Sequence, residues 1–441
     1  MTWMATYWCE WAWLPCGPER GVLFDVDGGR ISAASSARTP PEHAERLPGM
    51  TLPGLANAHS HAFHRALRGW HNGARGTFWT WRDQMYQVAA ALDPDSYYRL
   101  ARGVYAEMAL AGITCVGEFH YVHHAASGTR YDDPNAMGHA LVQAAQDAGI
   151  RLTLLDTCYL AGGFGRPPDG VQLRFSDGAA TSWIDRIDQF TVDNDRVRLG
   201  AALHSVRAVP AEEIPEVAGW ARKSEAPLHL HLSEQRAENE ACLAAHGCTP
   251  TQLLESYGAL GADVTAVHAT HLAASDVALL GDSGTGVCLC PTTEADLADG
   301  IGPAAALRVV GSPLAIGSDG HSVIDPFAEV QAVESYTRLN TETRGHFAAD
   351  ELLEMATTAG HRSLGWPDAG WLGVGARADF VAVDLGSTRL TGVAPEAVPA
   401  VARADDVRVV IADGRRIVQG GRHQAIDAAE ELHDAISALR A

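Results

Sequence analysis

From about residue 52 onward, short apolar runs of β type alternate with longer segments rich in alanine, leucine and charge. The β-type runs lie at 52–58, 112–119, 150–157, 197–204, 226–232, 262–268, 284–290 and 313–319. Segments such as 94–111, 135–149, 210–224 and 250–260 separate them and read as helices. A strand, a helix and another strand, repeated, build a parallel sheet, because parallel neighbours need a long crossover between them. Eight such units over this span fit a closed α/β architecture, the (β/α)8 TIM barrel, better than an open doubly wound sheet. No Gly-x-Gly-x-x-Gly follows an early run, so the signature of a dinucleotide-binding sheet is missing.

The flanks follow a different pattern. Residues 6–35 and 376–420 alternate apolar and polar positions and are broken at turn signals such as Cys16-Gly17-Pro18 and Asp27-Gly28-Gly29. They are expected to pair into one small β-sandwich-like domain built from both termini, residues 1–51 and 367–441, around a barrel at 52–366. Apolar spacing over Ile426–Leu439 predicts a terminal helix packed on that small domain.

Composition narrows the function. A chain of 441 residues, 46% hydrophobic and 20% charged, has enough core for one large domain and a smaller one. With 54 acidic against 33 basic residues and a formal charge of −21, it is unsuited to nucleic acid or an anionic membrane surface. No run of 18 apolar residues exists, so no transmembrane helix is expected. The start Met1–Leu14 lacks a basic region and carries Glu10, which makes a poor signal peptide. Its eight cysteines follow no disulfide spacing, and most lie in apolar runs, as do Cys115, Cys288 and Cys290. They read as reduced core residues of a cytoplasmic protein.

Polar residues gather where the β-type runs end. The first run leads into His59-Ser60-His61, the second into Glu118, His120 and Tyr121, and the fourth into His204 and Arg207. The fifth gives His229, His231 and Glu234, the sixth His268 and His271, and the eighth Asp319 and His321. Inward residues at one end of a barrel converge, so three imidazoles and a carboxylate are available to one divalent ion of the hydrolytic zinc type.

With these residues in place, the chain resembles the amidohydrolase superfamily and its aminohydrolase branch, through His-x-His, His-x-x-Glu, a later His and a final Asp. The resemblance implies His59, His61, His231 and Asp319 as metal ligands, Glu234 as proton shuttle, and His268 as a hydrogen-bonding partner of the attacking water or the substrate. His229 shares the strand face of His231, but only His231 has a glutamate three residues on. Binuclear members bridge two ions with a carboxylated lysine at the end of strand four. The sole lysine here, Lys223, precedes strand five in a helix-like segment, so a single ion is expected.

Further motifs are Phe78-Trp79-Thr80-Trp81-Arg82, Gly117 to His124, His204-Ser205-Val206-Arg207, Leu230 to Gln235, and Cys290 to Leu297. These resemble the formimidoylglutamate deiminase family, in which the positions of Arg82, Tyr121, His204 and Arg207 hold substrate. The resemblance implies hydrolysis of N-formimino-L-glutamate in histidine degradation, and a homodimer. Two guanidiniums suit a small dicarboxylate, which they can clamp bidentately. Two positions depart from the family pattern: His64 replaces a glutamine that contacts substrate, and Asp296 replaces an asparagine. His64 is retained as a replacement donor. The competing readings are deamination of an aromatic base (guanine, cytosine or triazine type), a metal-free barrel without catalysis, and hydrolysis of a cyclic amide.

Overall fold

A computed structural model describes residues 4–70 and 78–440; Met1–Trp3 of the tryptophan-rich start lie outside the described residues. The chain opens with β1 (Met4–Leu14), β2 (Gly17–Asp27), β3 (Arg30–Ser36) and β4 (Glu45–Pro53). Next come β5 (Leu55–Ser60), β6 (Ile113–His120), β7 (Arg151–Cys158), β8 (Val197–Leu203), β9 (Leu228–Leu232), β10 (Val264–His268), β11 (Gly286–Leu289) and β12 (Leu314–Ile316). It ends with β13 (Phe380–Val383), β14 (Val407–Ala412), β15 (Arg415–Gln419), β16 (Arg422–His423) and a helix at Ala428–Arg440.

Strands β5 to β12 pair in sequence order, each parallel to the next. Every residue of β5, β6, β7 and β9 to β12 is buried, as expected for strands with side chains on one face and helices on the other. Ser60 bridges to Asp319 in the parallel sense, and the Asp319 amide donates to His59 O at 3.1 Å, which closes the ring. Asn57 reinforces the seam, donating to Ser318 Oγ at 2.7 Å and accepting from the Ser318 amide at 2.9 Å. The fold is the expected (β/α)8 barrel. Helix Pro94–Leu110 shows the local causes: Asp93 caps it through the Ser96 amide at 2.7 Å, Pro94 opens it, and Gly112 at φ 90° follows its end.

The terminal strands form one sheet in the order β16-β15-β14-β13-β4-β1-β2-β3. Phe24 on β2 lies three strands from β13, yet its ring centroid is 5.4 Å from that of Phe380, as is Tyr7's. Three strand spacings in a flat sheet would hold them roughly 14 Å apart, so the sheet folds over its own core.

The structure corrects two expectations. The run at 52–58 is not one strand: β4 ends at Pro53 in the terminal sheet and β5 begins at Leu55 in the barrel. Gly54 is the switch, since a Cβ there would lie 2.3 Å from Thr114 Oγ1. The terminal helix packs on the barrel rather than on the small sheet. Leu432 fills the space left by Gly103, Arg102 pairs with Glu431, and Arg440 donates to Ala66 O at 2.8 Å. An amphipathic pattern announces a buried face but does not say what buries it.

Candidate active site

His59 is the penultimate residue of β5 and His61 follows the strand, so both share one face while Ser60 turns away. Ser60 Oγ donates to Glu118 Oε2 at 2.8 Å, and Glu118 Oε1 accepts from the Ala62 amide at 2.6 Å. Burial pushes the Glu118 carboxyl up to about 7. His61 Nδ1 donates to Phe119 O at 2.9 Å, and His231 Nδ1 donates to His204 O at 2.8 Å. Carbonyls only accept, so each ring carries its hydrogen on Nδ1 and turns a lone pair outward at Nε2.

Those lone pairs converge. The Nε2 atoms of His59 and His61 lie 3.3 and 3.4 Å from Asp319 Oδ1, and His231 Nε2 is 3.2 Å from His59 Nε2. One donor atom from each of His59, His61, His231 and Asp319 falls within 4.8 Å of the others, all buried. Burial holds the His61 and His231 imidazoles well below their ordinary range, which keeps them in the neutral, ligating form. Burial would raise Asp319, but the His59 hydrogen bond and the surrounding imidazoles hold it well below the usual carboxylate range. Three imidazole nitrogens and one carboxylate oxygen, with two tautomers fixed by carbonyls, fit a divalent ion such as zinc. Lys223 ends the exposed side of helix Ile214–Lys223 and offers no bridge to a second ion.

The backbone is bent to make this arrangement. His268 and Asp319 sit at φ 69° and 37°, left-handed conformations that cost non-glycine residues about 1–3 kcal/mol each. Gly317 has no room for a side chain, since a Cβ would lie 2.7 Å from His59 Cβ.

Beside the cluster stand Glu234, with Oε1 3.9 Å from His268 Nε2, and Glu294, with Oε1 3.4 Å from His268 Nδ1. His268 Nε2 is also 3.9 Å from Asp319 Oδ2. Burial pushes Glu234 up to about 8. Burial works against a charged His268, but Glu234, Glu294 and Asp319 outweigh it and raise the imidazole well above its ordinary range.

One cavity is lined by His61, His64, Arg82, Tyr121, His204, Arg207, His231, Glu234, His268 and Asp319. Ten residues singled out from the sequence thus meet in one place, and His59 lies directly behind them. His64 Nε2 lies 3.2 Å from Tyr121 Oη, and burial takes its imidazole down to about 3. Arg207 donates through Nε to buried Glu238 at 3.1 Å and lines the cavity. The side chains of Phe78 and Trp79, which open the Arg82 motif, lie outside the described residues.

Other histidines are occupied elsewhere. His229 Nε2 donates to Ser363 O at 2.8 Å, and His321 is buried with Nε2 3.1 Å from Ser60 Oγ. His271 is half-buried outside this cavity. Asp296 does not line the cavity, although its neighbour Leu297 does. Cys290 has its sulfur near His268 and Asp319, but burial drives the thiol well up, as expected of a core residue. His120, His123 and Asp156 form a further cluster whose cation is already present. Arg186 donates to both Asp156 oxygens at 2.9 and 2.7 Å, and His123 Nε2 donates to Thr157 O at 2.8 Å.

Sequence reasoning gave no role to Glu238, Trp81, Met85, Tyr86, Tyr159 or Phe175, although all but Glu238 line the cavity. Glu294 falls in the stretch Cys290 to Leu297, and the signal for it is its position four residues after Cys290, whose amide donates to Glu294 Oε1 at 3.0 Å.

The Amidohydrolase family model matches residues 50–417. Formimidoylglutamate deiminase of Pseudomonas aeruginosa is 36% identical over 95% of this chain and 96% of its own length. The crystal structure of an amidohydrolase from Brucella melitensis superposes with a TM-score of 0.90 at 31% identity, covering 99% of this chain and all of that one. A Xanthomonas campestris adenosine deaminase with bound zinc shares the fold, with a TM-score of 0.85 at 22% identity over 99% of this chain and 97% of that one. Among the described residues, no helix is long and apolar enough to cross a membrane.

Proposed function

The chain belongs to the amidohydrolase family, and on that premise we propose that it hydrolyses N-formimino-L-glutamate to N-formyl-L-glutamate and ammonia. The observation that carries this reading is the placement of Arg207 and Arg82 in the same cavity as the metal-ligand cluster and Glu234. Two permanently charged guanidiniums suit the two carboxylates of that substrate, and a nucleobase offers neither.

In this reading His59, His61, His231 and Asp319 hold one divalent ion, zinc, which supplies Lewis-acid activation of water when bound. Arg207 and Arg82 take the carboxylates and thereby fix the formimino carbon over the cluster. Tyr121, His204 and His64 line the same cavity, and in this reading they orient the formimino group. Asp319, through Oδ2, takes a proton from the attacking water. Glu234, whose carboxyl burial pushes up toward the protonated form, gives a proton to the formimino nitrogen, which makes the carbon electrophilic. His268 Nε2 donates to the oxygen that adds to that carbon. Glu234 then takes the proton of the adduct's hydroxyl and passes it to the same nitrogen; the carbonyl forms as the C–N bond breaks, ammonia leaves, and the proton held by Asp319 returns to Glu234.

The test measures ammonia release from N-formimino-L-glutamate, purines and pyrimidines with wild type and Arg207→Ala. Turnover of the formimino substrate alone, with kcat/KM lowered in Arg207→Ala by about 30-fold or more, is expected. Ammonia from a purine or pyrimidine, with none from the formimino compound, overturns the assignment.

A further inference from the structure

Gln172, in the turn Gly170–Arg174, holds two phenols at the wall of the cavity. Its Nε2 donates to Tyr86 Oη at 3.1 Å and to Tyr159 Oη at 2.9 Å. Its Oε1 accepts from the Asp169 amide at 3.1 Å, which fixes the orientation of the carboxamide: flipped, it would set NH2 against N–H. Each phenol oxygen therefore already accepts a hydrogen bond, and its own proton is available to donate. The two hydroxyls are neighbours, so one proton can be shared within the pair and at least one remains for the cavity.

Each phenol has a guanidinium for a neighbour. Arg82 Cζ is 5.4 Å from the Tyr86 ring centroid, Tyr159 interacts with Arg207, and the Tyr159 ring is 4.7 Å from that of His204. Burial raises the Tyr159 phenol far above physiological pH, so it keeps its proton.

We infer that Tyr86 and Tyr159, oriented by Gln172, are substrate-anchoring residues that donate to a carboxylate also held by the arginines and so help select a dicarboxylate. This rests on the dicarboxylate reading above. Gln172 is a positioning residue: it reaches substrate only by setting the direction in which the phenols donate. Replacing its amide by a carboxylate of the same shape reverses that direction. The Asp169 amide keeps its acceptor, but the phenols turn their protons toward residue 172 and present only lone pairs to the substrate.

The experiment compares wild type, Gln172→Glu, Tyr159→Phe and Tyr86→Phe on N-formimino-L-glutamate and on its side-chain amide, N-formimino-L-glutamine. For Gln172→Glu and Tyr159→Phe, KM for the dicarboxylate is expected to rise about tenfold or more while kcat changes by less than ~threefold. Preference for the acid over the amide should narrow with it. Wild-type turnover of the dicarboxylate, with KM and acid preference unchanged in both variants, overturns the inference and leaves the proposed function standing. No wild-type turnover of the dicarboxylate overturns both. Equal losses of kcat on both substrates would mark a structural role and also overturn it.

Discussion

Arg151 opens β7 at the end of the barrel away from the cavity, and its side chain is fully buried. It pairs with Asp379 through both terminal nitrogens, donates to Asp413 Oδ1 at 2.9 Å, and lies 5.5 Å from the Trp366 ring. Asp379 and Asp413 come from the terminal sheet and its β14–β15 turn, so this one side chain ties the two parts of the molecule together. Arg151→Met keeps most of the stem packing and removes the charge. Asp413 retains Arg377 at 2.8 Å and Arg196 at 2.9 Å, but Asp379 keeps only the Asp413 amide at 2.8 Å and Thr114 Oγ1 at 3.5 Å. The penalty is therefore that of one uncompensated buried carboxylate, about 3–5 kcal/mol. In Arg151→Met/Asp379→Asn the orphaned charge is gone and the Asp413 amide can still find an acceptor, so more than half of the loss should return, a coupling of about 2–3 kcal/mol. Urea unfolding, followed by tryptophan fluorescence and far-ultraviolet circular dichroism, measures both variants. Metal content and turnover of the folded protein should be unchanged, because the substitution lies at the opposite end of the barrel. A single-variant cost below about 1 kcal/mol, or a double variant no more stable than the single, would refute the reasoning.

Asp413 also sets an acid limit on stability. Burial opposes its ionisation, but Arg151, Arg196 and Arg377 bring it down to about 2, against an ordinary value near 3.8. Its contribution, roughly 2 kcal/mol, is present above about pH 4 and lost as pH falls toward 2; Asp413→Asn should flatten that part of a stability–pH curve. Glu234→Gln should lower kcat about 10²–10⁴-fold with metal content intact, as metal analysis beside steady-state kinetics can check. Gly317→Ala forces His59 aside and should weaken metal affinity about 10–100-fold in a competition with a chromogenic chelator. Exhaustive chelation should abolish ammonia release, with zinc restoring it in wild type but not in His231→Ala.

The barrel was legible because strands buried on both faces leave continuous apolar runs, and the candidate metal cluster because its members sit where those runs end. Other parts depend on contacts that carry no local pattern. Gln172 lies in a loop rich in glycine and proline, and its partner Tyr86 is 86 residues away. Glu238 reads as a helix-surface glutamate until the fold brings Arg207 to it across 31 residues. Gly54 is invisible within an apolar run because pairing partners, not hydrophobicity, end β4 and begin β5. The surface that receives the terminal helix is not legible for a related reason: the groove at Gly103 that takes Leu432 is made by packed helices and carries no local pattern.

The seam between β5 and β12 joins the two barrel strands most distant in the chain; Asn57 and Ser318, which meet across it, are 261 residues apart. The same seam carries His59, His61 and Asp319, three of the four proposed metal ligands. An ion held there would act as a clasp on a loop whose closure costs on the order of 5 kcal/mol in chain entropy. Metal bound across the seam should therefore raise the resistance of the ring to unfolding, as urea unfolding of metal-loaded and metal-free protein can measure.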